Sequence, residues 1–531
     1  MKNKILTNNY NFYLVSSIVF IIFYLVNNLY SSYWDALWIY QLSLKPLINQ
    51  KIYEDFSFQH GPYLFFLFDF LKFFEINSFN FLLLSGIVQS LFAGHLSNLF
   101  CDQIFKSQFI KRVCFLITIF SISIEYNFAF WDCYIFLLGI YSLYLIFLKN
   151  SIIFGTFLLS IIFFFKQTFG FTFFSIFTLF CIFDFIIFKS SYLFKKILYF
   201  LLFSILHLTL IFLFSDFNKF YNENILYIFK YSEVYKRTDP LSYFFGIIFL
   251  LPDINSLEKL KLVFSRDNFS LSQIVFYLMF RLPVFLINIY LICKITEIKK
   301  KYYRTMLIII LSCILPLPLL GRGYWGTIYF FPIIPIIFLS YFYFKKNSII
   351  NFFKIDYKKL LLLYSFITFF YLIIFSLNKI NFNQLSDQYI IKSKNNFFLN
   401  FHKKQVGNYD GFDSMRDIYN YIVNLKIKEI YVLDDKSQTI LYLLDLPVMN
   451  QDSGPELSES ANRMKQRRIK MSPDSKDFLD RFIDDIKEKK PKFVLYENND
   501  FLLLSKIIDV NLFKNYNLKY QNKHFSLLER N

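Results

Sequence analysis

The chain has 531 residues, of which 56% are hydrophobic and 22% aromatic, and it carries a formal net charge of +18. So large an apolar share exceeds what a soluble chain of this length needs to fill its cores, which makes the sequence that of a polytopic membrane protein. The basic excess then belongs to cytoplasmic loops ahead of any nucleic-acid surface. The abundance of Phe, Ile, Asn and Lys also matches AT-rich codon usage, so single Phe or Lys positions carry little weight.

A span needs about 17 to 25 apolar residues to cross roughly 30 Å of hydrocarbon. About eleven such runs are predicted, near 10–30, 81–101, 110–126, 131–148, 150–166, 170–188, 195–214, 273–294, 304–320, 325–345 and 359–377. The first follows Lys2 and Lys4 and has no small-residue cleavage pattern, so it reads as an anchor. With the N-terminus cytoplasmic, one set of loops holds Lys106, Lys111, Arg112, Lys149, Lys189, Lys195, Lys196, Lys294, Lys299, Lys300, Lys301, Arg304, Lys345, Lys346, Lys354, Lys358 and Lys359. The short loops of the other side hold almost none, as the positive-inside rule requires. An odd number of spans places the C-terminal tail outside. The piece 241–252 is too short to span and reads as an interfacial or re-entrant part of an outer loop, 215–272. All six cysteines, at 101, 114, 133, 181, 293 and 313, fall in or beside spans, with no metal-type spacing.

From about residue 382 the texture turns polar, so the chain divides into a membrane domain, 1–381, and an extracytoplasmic α/β domain, 382–531, of the size of one core. "IKEIYVLDD" (427–435), "PKFVLYEN" (491–498) and "HFSLLER" (524–530) read as strands. "DSMRDIYNYIVNL" and "DFLDRFIDDIKEKK" have apolar residues at helical spacing. The basic run "RMKQRRIK" (463–470) reads as a solvated face ahead of a binding patch for phosphate.

The first outer loop, 31–80, carries the chemistry. Asp35 comes directly off the first span, an amphipathic stretch follows, and "YEDFSFQHGPYLFF" (53–66) leads back to the bilayer. Carboxylates at the outer edge of a membrane can stay ionised and act as bases. Topology adds Asp132 in "NFAFWD", Lys166 in "KQTFG" and Arg322 in "GRGYW" on the same side, beside Glu54, Asp55 and His60. An acid to deprotonate an acceptor and cations to hold a departing phosphate are the parts of a transfer with a phosphate leaving group. Arg322 suits the phosphate through its planar fork, Lys166 as a point charge. Plainer roles stand beside these: helix caps for Asp35 and Asp132, a turn for Asp55, a structural His60, and snorkelling for Lys166 and Arg322. His95 and His207 lie within spans and read as buried and hydrogen-bonded. Trp34, Trp38, Trp131 and Trp325 fit an interfacial aromatic belt, with sugar stacking a second role for Trp34 or Trp325.

Asp35, then Ile52-Tyr53-Glu54-Asp55-Phe56 and His60-Gly61-Pro62, resemble the first-loop pattern of membrane glycosyltransferases of the C superfamily (GT-C), in particular bacterial family 39-like proteins similar to dolichyl-phosphate-mannose protein mannosyltransferases. "FFFKQTFG" (163–170) and "RGYWGTIYFFPIIP" (322–335) also resemble that family's later segments. The resemblance implies a mainly α, polytopic GT-C fold with about eleven spans and a C-terminal extracytoplasmic α/β domain, in the bacterial inner membrane. It implies an undecaprenyl-phosphate-linked sugar donor, an acceptor that is glycan, lipid or protein, inversion at the anomeric carbon, Asp35 as general base, and no certain cofactor or metal. Asp55 joins Asp35 as a catalytic candidate. Glu54, His60, Asp132, Lys166, Arg322 and Trp325 are the candidates for substrate binding. The chain departs from the pattern at Ala36, where many relatives have a second acid, and at Ile328-Tyr329, where a His-Tyr pair is common. Rival readings are a transporter or flippase of lipid-linked sugars, an O-antigen ligase or polymerase, and a non-enzymatic envelope scaffold.

Overall fold

A computed structural model describes residues 2–28, 44, 52–53, 61–63, 65, 78–104, 108–125, 131–188, 192–226, 304–305, 307–308, 412–444, 446, 483–484, 486–499, 501 and 510–531. The chain divides into two compact units. The first comprises Met1–Asn28, Leu84–Leu208 and Lys236–Asn381, and the second Leu29–Leu83, Thr209–Tyr235 and Phe382–Asn531.

Each of the first seven predicted spans coincides with a helix. These are α1 (Lys2–Asn28), α2 (Ser78–Ile104), α3 (Gln108–Glu125), α4 (Trp131–Phe147), α5 (Ile152–Phe165), α6 (Gln167–Phe188) and α7 (Leu193–Phe214). Only two helices among the described residues are both long and apolar enough to cross a membrane, over Gln167–Ile186 and Leu193–Leu213. The others fall short for identifiable reasons. The 14 residues of α5 reach only about 21 Å at 1.5 Å per residue, and α2 is diluted by Gln89, His95, Asn98 and four serines. The runs 273–294, 325–345 and 359–377 lie outside the described residues, as does 304–320 apart from four helical positions.

The first unit is built around α4, which is buried on nearly every side, from Cys133 through Phe136, Ile140 and Tyr144 to Phe147. Ring pairs tie its neighbours to it: Phe100 of α2 against Tyr144 at 5.4 Å, Phe173 of α6 against Phe136 at 5.5 Å, and Phe180 of α6 against Phe147 at 4.0 Å. α1 packs on α3 through Phe20 and Phe23 against Phe120. Small residues set the closest approaches. A side chain at Gly155 of α5 would meet the backbone of α4 at Ser142 and Ile146 about 3.1 Å away, and one at Gly139 would enter the Phe173 ring. The buried hydroxyls of Ser142 and Thr156 return their hydrogen bonds to their own helices, Ser142 Oγ to Leu138 O (2.8 Å) and Thr156 Oγ1 to Ile152 O (2.7 Å).

The rim is the reverse of a water-soluble surface. On α7, Phe194, Ile205, Phe212 and Leu213 are 60 to 76% exposed, and little of the helix is buried. α1 exposes Leu14, Val15, Ile18, Val19 and Ile22, and α6 exposes Phe185 and Ile186. Exposed apolar side chains in such number along single helices are costly in water and suit hydrocarbon.

In the second unit, α8 (Phe217–Tyr221) is capped by Asp216, whose carboxylate accepts from the amides of Asn218 and Lys219, and it runs on into a π-helical turn, Asn222–Leu226. The C-terminal part holds α9 (Phe412–Asn424), β1 (Tyr431–Val432), α10 (Asp435–Leu443), β2 (Phe493–Glu497), a 3₁₀ turn (Val510–Phe513), β3 (Tyr516–Gln521) and β4 (Phe525–Arg530). The sheet order is β1-β2-β4-β3: β1 is parallel to β2 with Tyr431 opposite Val494, and the other pairs are antiparallel. Tyr431, Leu433, Ile486, Val494, Phe513 and Leu528 form its core.

Candidate functional site

Asp35, Glu54, Asp55, His60, Arg322 and Trp325 lie outside the described residues, as do Trp34, Trp38 and the run 463–470. The chain on either side of Glu54 to His60 is described, and both ends are anchored. On one side Tyr53 is fully buried with a backbone φ of 63°. That left-handed region suits glycine, and an aromatic residue there costs of order 1–3 kcal/mol, which surrounding contacts must offset. The contacts are present in the second unit. Asn224 Nδ2 donates to Tyr53 Oη at 2.7 Å, and the Phe220 ring stands edge-on to Tyr53 at 5.6 Å. Asn224 and Phe220 are themselves fully buried. On the other side Gly61 and Pro62 are buried, Phe65 N donates to Pro62 O at 3.0 Å, and Phe65 is 2% exposed. Partial burial holds the Tyr63 phenol above its usual pKa.

In the first unit, Asp132 has its backbone in the first turn of α4. Lys166 is the single extended residue between α5 and α6, with φ −155° and ψ 113°. Its amide closes α5 on Ile162 O at 3.0 Å, its carbonyl accepts from Gly170 N at 2.9 Å, and its ammonium lies 5.7 Å from the Phe169 ring. Lys166 is thus the corner at which α5 ends and α6 begins. α4 and α5 form a hairpin with a four-residue connection, 148–151, so the start of α4 and the end of α5 come to one end of the pair. Asp132 and Lys166 therefore share that end.

Two polar clusters were missed from the sequence. Asp184, on α6 and 1% exposed, takes Lys196 Nζ on Oδ2 at 2.7 Å, and Arg304 Nε and Nη2 on Oδ1 at 2.8 and 2.7 Å. Lys196 also lies 4.5 Å from the Phe147 ring, so the cluster joins α4, α6, α7 and the 304 segment. Lys196 and Arg304, both expected in cytoplasmic loops, are partners of a buried carboxylate, Lys196 from the first turn of α7. A lone Asp inside the apolar run 170–188 was the available signal.

The other cluster sits where β1 and β2 end. Buried Asp434 accepts from Ser437 N, Ser437 Oγ and Glu497 N, each at 2.7 Å, and so joins β1, α10 and β2. Buried Glu497 lies 3.5 Å from Lys436 Nζ and 3.6 Å from His524 Nδ1. Among the described residues no group of three or more His, Cys, Asp or Glu could hold a metal ion. His207 is buried between the rings of Phe157 and Phe164, 5.4 and 5.2 Å away. His95, expected to be buried, is exposed: the buried face of α2 there runs through Ala93, Leu96, Ser97 and Phe100.

No protein-family model and no curated protein matches the chain. Among solved structures, the fold is similar to that of ArnT from Cupriavidus metallidurans bound to undecaprenyl phosphate, with a TM-score of 0.52 and 11% identity over 97% of each chain. Archaeal oligosaccharyltransferase AglB from Archaeoglobus fulgidus, in complex with an inhibitory peptide and a dolichol-phosphate, matches with a TM-score of 0.46 and 11% identity, over 95% of this chain and 72% of that one.

Proposed function

We propose that the chain is an integral-membrane glycosyltransferase that moves a sugar from a polyprenyl-phosphate donor, in bacteria undecaprenyl phosphate, to an envelope acceptor on the outer face of the inner membrane. Fold alone does not give chemistry. The observation that carries the reading is the end-to-end likeness to a protein solved with undecaprenyl phosphate, covering 97% of both chains. Two further features support it: an apolar rim suited to lipid, and a first-loop acidic segment bracketed by the buried anchors Tyr53 and Phe65.

In this reading Asp35 takes the proton of the acceptor hydroxyl as its oxygen attacks the anomeric carbon. The new C–O bond forms as the bond to the lipid phosphate breaks, the electron pair leaves on the phosphate, and the anomeric configuration inverts. Asp55 assists Asp35, and Glu54, His60 and Asp132 order donor and acceptor. Arg322 and Lys166 neutralise the departing phosphate, and Trp325 stacks on sugar. The 382–531 domain contributes to acceptor choice.

The test is sugar release from a panel of radiolabelled undecaprenyl-phosphate sugars by purified protein in bilayers with a host envelope extract. At equal expression, Asp35→Asn is expected to lower transfer by about 10²- to 10⁴-fold, the usual worth of a positioned general base. Full activity in that variant removes the base assignment. A wild-type protein that moves none of the sugars removes the transferase reading and favours a transporter.

A further inference from the structure

Ser90 on α2 is buried and finds an acceptor inside its own helix, its Oγ donating to Gly86 O at 2.9 Å. Gln89 beside it does not. It is 0% exposed, and neither its carboxamide nitrogen nor its oxygen has a hydrogen-bond partner among the described residues. Native folds pair nearly all such groups, because an amide left dry in an apolar setting loses the hydrogen bonds it had in water.

The surroundings of Gln89 are polar. Side chains on a helix lean toward its N-terminus, so the Gln89 carboxamide lies over the turn that holds Ser85 and Gly86. Hydroxyls from two other helices arrive at that turn. Tyr134 of α4 donates to Ser85 O and reaches the backbone of Gln89. Tyr24 of α1, 0% exposed, sets its hydroxyl against Gly86, where a β-carbon would collide with it. Glycine at this position is therefore what admits the Tyr24 hydroxyl to the α2 backbone.

These groups narrow what can fit. A carboxamide both donates and accepts, so its partner must do both. The carboxamide and the two phenols are neutral, which gives an ion no counter-charge. Gln89 and Tyr24 are sealed from the surface, so the partner is small. We infer that Gln89, Tyr24 and Tyr134 enclose a binding site for ordered water between α1, α2 and α4, at the end of the bundle where α4 begins. Buried water makes roughly three hydrogen bonds, a number that the carboxamide and the two phenol oxygens can supply. The site joins three helices through one polar point, and it stands whether or not the chain is a transferase.

The experiment uses the full chain in lipid nanodiscs, with hydroxyl radicals made by a brief X-ray pulse and labelled side chains read by mass spectrometry. Radicals form from water and react close to where they form, so a buried ring is labelled quickly only where water is bound beside it. With yields normalised to the intrinsic reactivity of each ring, Tyr24 and Tyr134 are expected to label about tenfold faster than Phe20 and Phe100, buried rings of the same unit. A pulse given just after mixing into water enriched in heavy oxygen is expected to leave ordinary oxygen on both tyrosines, since an enclosed water exchanges slowly. Gln89→Met, of similar length and without the carboxamide, is expected to bring both tyrosines down to the level of Phe20 and Phe100. Wild-type tyrosines that label no faster than those phenylalanines show a dry contact and overturn the site. That comparison needs no variant, so it decides even where Gln89→Met fails to fold. Heavy oxygen in the first label shows open access to bulk water and overturns the enclosure. A folded Gln89→Met protein that labels like wild type overturns the part assigned to Gln89.

Discussion

Asp184 illustrates how much one carboxylate can be asked to do in an apolar setting. Its two oxygens take three donors from Lys196 and Arg304, and both Asp184 and Lys196 are nearly inaccessible. Burying such charges costs several kcal/mol per ion, so the arrangement is weak evidence of net stability but strong evidence that its parts depend on one another. Asp184→Asn should therefore destabilise the folded protein by about 3–5 kcal/mol, because it strands the Lys196 ammonium. Adding Lys196→Met should return much of that loss. Thermal unfolding in a fixed detergent and lipid mixture checks both, and a double variant no better than Asp184→Asn would show that the cost lies elsewhere. Asp434 is the counterpart in the sheet domain, where one buried carboxylate joins a strand end, a helix start and the next strand.

One helix contact turns on what is absent at a single position. Gly155 lets α5 lie against the backbone of α4, and a β-carbon there would come within 2.6 Å of Ile146 Cγ1. By helix propensity alone, replacing a mid-helix glycine with alanine gains about 1 kcal/mol. The packing term opposes it, since overfilling a tight contact costs about 1–3 kcal/mol. Gly155→Val, with two more carbons, should be clearly destabilising and should lower the unfolding temperature, and an unchanged value would mean that the hairpin can open without cost. The helices of the first unit were legible because each is an apolar run that nothing polar interrupts for long. The same logic failed for β3. "YNLKYQ" is an exposed edge strand in which Tyr516, Leu518 and Tyr520 alternate with polar residues, but most of its side chains face solvent, and six residues of such alternation are a weak signal beside a buried apolar run. β1 ends at Val432 because Asp434 caps α10 and Asp435 begins it, instead of extending the strand. Of the candidate site, the residue types at the outer edge could be read locally. The Tyr53–Asn224 bond, the Asp184 cluster and the Asp434–Glu497–His524 grouping could not, since each joins residues far apart in sequence, and only the fold pairs them.

At the scale of the whole molecule, hydropathy does not distinguish a central helix from a peripheral one. α4 and α7 are both apolar all round, yet α4 is enclosed by its neighbours and α7 is bare over most of its surface. The difference gives a test of the medium around the protein. Ile205, near the middle of α7, is 60% exposed. In water an exposed isoleucine can become arginine at almost no cost, whereas at the centre of a bilayer-spanning helix the change costs about 2.5–3.5 kcal/mol. Ile205→Arg should therefore reduce membrane-inserted protein sharply while Ile205→Leu leaves it unchanged. Equal yields of soluble, folded protein from both variants would contradict a lipid-facing α7. The one-residue corner at Lys166 matters for how the chain is made. The helix before it reaches about 21 Å, less than the roughly 30 Å of hydrocarbon. A ribosome that has released only α5 has therefore delivered a segment too short to hold its own place across a bilayer. The expected consequence is that α5 is retained only once α6 has emerged, so that a chain truncated after Phe165 should fail to hold α5 in the membrane while one truncated after Phe188 holds both.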